Sequence, residues 1–191
     1  MKLVLFMLVL ALAAGFLTGG RFAGLSSLRI RLAPLAVVGL ALQFLSPSRG
    51  DLPYLLLMVS FVMLTVFAAV NLRTPGFPLI LIGMLMNFLV IGANHGMPVT
   101  RHALVASGQQ DTLTELIRSG GEKHHLAGPG DRLLFLADVT PIPPPIRQAV
   151  SAGDMVAYAG VAYVIVAAMR RRRVEQPHDE PEVAAESLPS G

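Results

Sequence analysis

Charge is segregated along this chain so strongly that it decides the solvent in which the chain can fold. Apart from Asp154, the charged side chains gather between and beyond five apolar runs: Leu3 to Leu17, Leu32 to Leu45, Leu52 to Leu72, Phe77 to Val99 and Ala149 to Met169. Runs of that length match the hydrocarbon core of a bilayer, where the backbone must satisfy its own polar groups. Each run is therefore expected to be a helix, since the short alternating strands of a closed barrel are absent. Composition agrees: 53% of residues are hydrophobic and 14% charged. A soluble domain of that make-up would expose apolar surface it could not cover. The sequence predicts an all-α membrane protein with five transmembrane helices, one long extracytoplasmic loop and a disordered cytoplasmic tail. The second run is short, but it can extend back toward Leu28 with Arg29 and Arg31 reaching to the headgroups.

Orientation in the cell membrane follows from the arginines. Arg21, Arg29 and Arg31 lie between the first two runs, Arg73 between the third and fourth, and Arg170 to Arg173 after the fifth. Basic residues favour the cytoplasmic side. Placing all three groups there puts the N-terminus outside and the C-terminus inside, and only Lys2 dissents. Residues 1–169 then form the membrane domain, with an outer loop over about 100–148, and residues 170–191 form a basic stop signal and an acidic tail. The first run resembles a secretory signal. Its removal would leave a chain that starts outside with three arginines in its next segment, so it is read as a retained anchor. The sequence pI near 9.8 arises from these helix-flanking residues, not from a basic face suited to nucleic acid. There is no cysteine, hence no disulfide or thiolate chemistry.

The outer loop carries its own signals. "VTRHALVASG" offers Thr100 as a helix cap after Pro98, and "DTLTELIRSGG" offers Asp111 as a cap and Gly120 and Gly121 as a stop. "LAGPGDRL" reads as a turn, "RLLFLADV" as an apolar strand or interfacial segment, and "TPIPPPIRQ" as an extended proline stretch. Together they would make a lid over the outer ends of the helices.

No nucleotide, metalloprotease, calcium or redox signature occurs, so no cofactor is expected. The histidines are badly spaced for a metal: His124 and His125 are neighbours, while His95 and His102 sit in different segments. Loose polar groups remain near the outer face. Ser151 and Asp154 form an S-x-x-D capping box, yet Asp154 also lies where the bilayer begins, and intramembrane carboxylates are normally paired or functional. Asn87 and Asn94, with Gly92 and Gly96 at G-x-x-x-G spacing, suit helix packing with amides bonding across the interface. Acid–base chemistry would need Asp138, Asp154 and a histidine brought together by the fold.

The stretches "GGRFAGLSSLRIR", "NLRTPGFPLILIGMLMNFLVIGANHGMPV", "KHHL", "DRLLFLADV" and "PIPPPIRQAVSAGD", with Gln43 in the second run, resemble an uncharacterised family of small five-span bacterial membrane proteins, a domain of unknown function. The resemblance covers about Met1 to Val166. Its hallmarks fall at Asn94, Gly96, Met97 and Pro98, at Lys123 and His124, at Asp138, and at Ser151, Gly153 and Asp154. Ala137 replaces the glycine usual before the aspartate, and His95 and His125 are peculiar to this chain. The resemblance implies the architecture and no activity.

Three functions stay open. The first is a non-catalytic accessory or assembly protein, in contact with the lipid bilayer and with a membrane or envelope protein partner or a second copy of itself. The second is a membrane-embedded enzyme at the outer leaflet, using Asp154, Asp138 and His124, with Asn94, Met97, Lys123 and Ser151 as a ligand-binding or structural polar cluster. A transporter ranks last, because the first four runs carry no charge inside them. An enzyme requires these groups to converge on an open cleft, whereas a scaffold has them satisfied with no cavity.

Overall fold

A computed structural model describes residues 2–45, 50–121 and 123–171. The acidic tail and Arg172 and Arg173 lie outside the described residues. The chain is mostly helical. Helices α3 (Leu52–Val70), α4 (Phe77–Asn94) and α7 (Ala152–Met169) are long and apolar enough to cross a membrane. Helices α1 (Lys2–Leu17) and α2 (Ala33–Phe44) are equally apolar but shorter. At 1.5 Å per residue α2 covers only about 18 Å. It does not extend back toward Leu28, because Leu32 takes a left-handed conformation that breaks the helix there. Pro34, Pro53 and Pro78 stand in the first turns of α2, α3 and α4, where a missing N–H costs nothing.

The helices pack chiefly in the order α2, α3, α4, α7, α1. The closest approach is between α4 and α7, and glycine permits it. A Cβ on Gly83 would strike the backbone of Gly153 and Ala157, and one on Gly76 or Gly160 would strike the other's carbonyl. Small residues let apolar helices touch along their backbones, which is how association is won where lipid competes with side chains. This corrects the expected G-x-x-x-G seam. Gly92 meets only the tip of Met58, and Gly96 falls after the helix, which His95 ends in a left-handed cap. The fourth apolar run thus stops being helix at Asn94, and its last residues become a strand.

Chain crossings tie the ends of the helices into two faces. On one, Arg21 N–H donates to the Met169 carbonyl at 2.8 Å. The Asn71 amide brackets the Arg31 backbone there, accepting from its N–H at 2.8 Å and donating to its carbonyl at 2.9 Å. The opposite face carries the loop. Its elements are β1 (Met97–Val99), α5 (Arg101–Ala106), α6 (Gln110–Ser119), β2 (His124–Leu126), β3 (Thr140–Ile142) and β4 (Gln148–Val150). Strands β1 and β2 pair in parallel with Met97 opposite His124, and β3 and β4 pair antiparallel with Thr140 opposite Val150.

Two loop helices form as expected, with the Thr100 hydroxyl accepting from Ala103 N–H and Gly120 ending α6 in a left-handed cap. Asp111 does not cap α6; Gln109 holds that position and Asp111 lies in the first turn, where its charge still meets the positive helix end. "LFL" forms a short 3₁₀ turn, Leu134–Leu136, and not a strand. The proline stretch folds back as the β3–β4 hairpin, which claims Ala149 and Val150 from the fifth apolar run. Met97 and Ala137 enter a core with Leu57, Phe61, Val90 and Ile91, so the loop is rooted in the helices. Ala137 is fully buried at φ −74°, a conformation that needs no glycine.

Candidate functional site

Asp154 is held at the start of α7 by a ring of side chains shared with α4. The Ser151 hydroxyl accepts from Asp154 N–H at 2.9 Å and donates to the Asn87 carbonyl oxygen at 2.8 Å. The Asn87 amide donates to Asp154 Oδ1 at 2.7 Å, and Ser151 N–H reaches Asp154 Oδ2 at 3.5 Å. The capping box is therefore real, and it carries a lateral bond into α4. Gly153 makes room for it, since a Cβ there would collide with the Asn87 carboxamide. Asn87 does bond across a helix interface; its partner is a carboxylate and not another amide. Both Asp154 oxygens accept hydrogen bonds.

Three other hallmark residues root the loop. Asn94 accepts from Arg132 N–H at 2.7 Å and donates to the Arg132 carbonyl at 2.8 Å. Lys123 donates to the Gln43 carbonyl at 2.7 Å and to the Leu45 carbonyl, placing an ammonium on the C-terminal end of α2. Met97 fills core, with its N–H on the Lys123 carbonyl at 2.8 Å.

His124 and His125 project to opposite sides of β2, as successive strand residues must. His125 pairs with Asp131 at 2.9 Å, and the second Asp131 oxygen takes Gly128 N–H at 2.8 Å, closing the "GPGD" turn. His124 faces the other way, its Nε2 3.8 Å from Asp138 Oδ2, an ion-pair distance too long for a hydrogen bond. Asp138 follows the 3₁₀ turn, its N–H on the Pro98 carbonyl at 3.0 Å and its carbonyl taking Thr100 N–H at 3.2 Å. Its side chain is thus fixed by backbone on both sides.

These groups meet over a cavity of about 700 Å³, lined by Glu115, Lys123, His124, Asp138 and Asp154, with Val99 and Leu104 on its apolar side. Asp138 is 7% exposed, and its Oδ1 has no hydrogen-bond partner among the described residues. A buried acceptor without a donor costs about 1–3 kcal/mol. Burial, and next the charge of Asp154, pushes the Asp138 carboxyl well above the usual carboxylate range. Burial in the wall, then the charges of Lys123 and His125, lower the His124 imidazole to about 4. Of its side-chain surface, 53% still faces the open cavity, where water moderates that effect. The fold thus favours the protonated form of the Asp138 carboxyl and the neutral form of the His124 imidazole. Among the described residues, no three His, Asp or Glu side chains gather as a metal-binding group.

The sequence named His124, Asp138 and Asp154 among the polar candidates, and the fold brings all three to one cavity. It missed Glu115, which reaches the cavity from α6, and the position of Asn87 beside Asp154. The first had no signal beyond its lying one turn from Asp111 on an amphipathic helix.

Fold and site together define a helical protein with three membrane-length helices and a polar cavity beneath a docked loop. The chain belongs to a family of unknown function, DUF5317, whose model matches residues 27–166. No curated protein and no solved structure matches it.

Proposed function

We propose that this chain is a five-span cell-membrane protein whose outer loop and helix ends enclose a binding site for a small molecule, with Asp138 as its central polar group. The convergence of His124, Asp138 and Asp154 on one cavity carries this reading. Support for five spans comes from α1 and α2, which are apolar and lie on α7 and α3. Support for the orientation comes from charge. The helix ends opposite the loop bear Arg21, Arg29, Arg31, Arg73, Arg170 and Arg171, with no acidic residue between 17 and 32, 70 and 77, or 168 and 171. Chemistry by Asp138 as acid and His124 as base would need the 3.8 Å gap to be closed by substrate or a bridging water.

A second reading, a scaffold without catalysis that docks a membrane or envelope partner, is favoured by a different observation. Asn94, Met97, Lys123 and Ser151 all have their polar or apolar surface used in holding the loop and helices together. The two readings separate at Asp138. If its carboxyl serves a ligand, Asp138→Asn leaves the empty protein at least as stable, as removal of a functional liability usually does. If it serves the scaffold, the same change destabilises it. Thermal unfolding in lipid nanodiscs decides between them.

A further inference from the structure

One apolar segment of the outer loop, "RLLFL" from Arg132 to Leu136, contributes nothing to the cavity wall. It starts at the outer end of α4, where the Asn94 side chain accepts from the Arg132 N–H and donates to the Arg132 carbonyl. The chain then makes the 3₁₀ turn Leu134–Leu136, which rests on both α4 and α7. Leu134 and Leu136 pack against the core of Leu57, Phe61, Val90 and Ile91, and the last two stand about 5 Å short of the α4 end at 1.5 Å per residue. The turn therefore dips alongside the helices before Asp138 brings the chain back to Pro98 and Val99. Between the two packed leucines Phe135 is 70% exposed, and Leu133 ahead of it is 37% exposed. The backbone of the turn closes on itself, with Leu136 N–H on the Leu133 carbonyl at 2.8 Å and Ala137 N–H on the Leu134 carbonyl at 3.1 Å. Near this depth the helices beneath also face outward with apolar side chains, since Leu89 on α4 and Met155 on α7 are both exposed.

We infer that residues 132–136 form a membrane wedge: Phe135 and Leu133 insert among the acyl chains of the leaflet on the loop side, with the exposed Arg132 reaching to the phosphates. A turn whose carbonyls are bonded internally can enter the edge of the hydrocarbon, where an open loop would strand them. In water the phenyl ring would stay uncovered at the tip of a segment whose other apolar residues are packed. The occupant is lipid and not a second chain, because the turn rests on two helices long enough to cross the bilayer. The inference rests on the membrane reading above and is independent of the ligand site.

The chain contains no tryptophan, so a single substitution makes a clean reporter. Three full-length variants are compared in phosphatidylcholine nanodiscs: Phe135→Trp in the turn, Leu89→Trp on α4, and Ile117→Trp, exposed on α6 among Thr114 and Arg118. All three replace exposed side chains, which leaves the packing intact. Phosphatidylcholine brominated near the top of its acyl chains quenches indole in lipid, and aqueous iodide quenches indole in water. Phe135→Trp is expected to emit to the blue of Ile117→Trp, to lose intensity in brominated lipid as Leu89→Trp does, and to resist iodide. Ile117→Trp is expected to do the reverse. If Phe135→Trp responds to iodide and not to brominated lipid while Leu89→Trp responds to lipid, the wedge falls and the membrane reading stands. If Leu89→Trp escapes the brominated lipid as well, both fall. Shielding of Phe135→Trp from both quenchers shows that protein covers it, and that too overturns the lipid assignment.

Discussion

Asn87 donates its side-chain amide to the Asp154 carboxyl across the α4–α7 interface at 2.7 Å, and Asn87 is 2% exposed. One bond thereby joins two membrane-length helices and holds the carboxyl that belongs to the capping box of the second and lines the cavity. Asn87→Leu keeps the volume but leaves Asp154 Oδ1 and the Ser151 hydroxyl short of a partner. It is expected to cost about 1–3 kcal/mol, measured as unfolding in a lipid mimic. Ser151→Ala, which removes the cap and the second bond of the ring, is expected to cost about 1 kcal/mol.

Gly153→Ala tests the same joint from the backbone side. The added methyl meets both the Asn87 carboxamide and the Gly83 carbonyl. Such overpacking costs about 1–3 kcal/mol. Gly92→Ala, in contact range of only the end of Met58, is expected to change stability by less than about 0.5 kcal/mol. Paired melting curves of the two variants check the assignment of the helix seam.

Lys123→Met leaves the stem and removes the ammonium from the end of α2. The carbonyls of Gln43 and Leu45 lose a charged donor, and the strand that carries His124 loses its anchor. Hydrogen exchange is expected to rise in residues 123–127 and in the last turn of α2, while α4 and α7 stay protected.

Asp138 and His124 give stability opposite dependences on pH. The Asp138 carboxyl is raised in the fold, so the native state binds the proton more tightly than the unfolded chain. Stability from this group is full at low pH and falls once pH exceeds the unfolded carboxylate value. The gain from Asp138→Asn is therefore larger at pH 8 than at pH 5. His124 runs the other way: lowered from 6.5 to about 4, it adds stability above 6.5 that is lost as pH falls toward 4. In the Asp138→Asn background, His124→Gln is expected to flatten the stability profile between those values, and the imidazole resonance of His124 is expected to titrate well below that of an ordinary histidine.

Much of this was legible beforehand because long hydrophobic runs report directly on apolar helices. The Leu52 and Phe77 starts, the Met169 end, the Thr100 cap and the Ser151–Asp154 box all follow from local pattern, and the structure has them where the residues imply. The misses have a common cause. Gly96, "LFLADV" and the proline stretch each carry a local preference that tertiary pairing overrode: Met97 pairs with His124, and Thr140 with Val150. The glycine seam was missed because Gly76 and Gly83, and likewise Gly153 and Gly160, are seven residues apart, two turns and not one. The convergence of Asp138 with Asp154 was beyond the sequence altogether, since it depends on Asp138 bridging to Val99 at the end of the loop's first strand.

The central claim is that the cavity between Asp138, His124 and Asp154 holds a ligand. The most direct measurement is an experimental structure of the protein purified in lipid, read at the Asp138 carboxyl. A non-protein group within about 3 Å of its cavity-facing oxygen is the result expected. A protein side chain bonded there beneath a collapsed loop, with no space beside His124 and Asp154, would contradict the account and return these residues to a purely structural role.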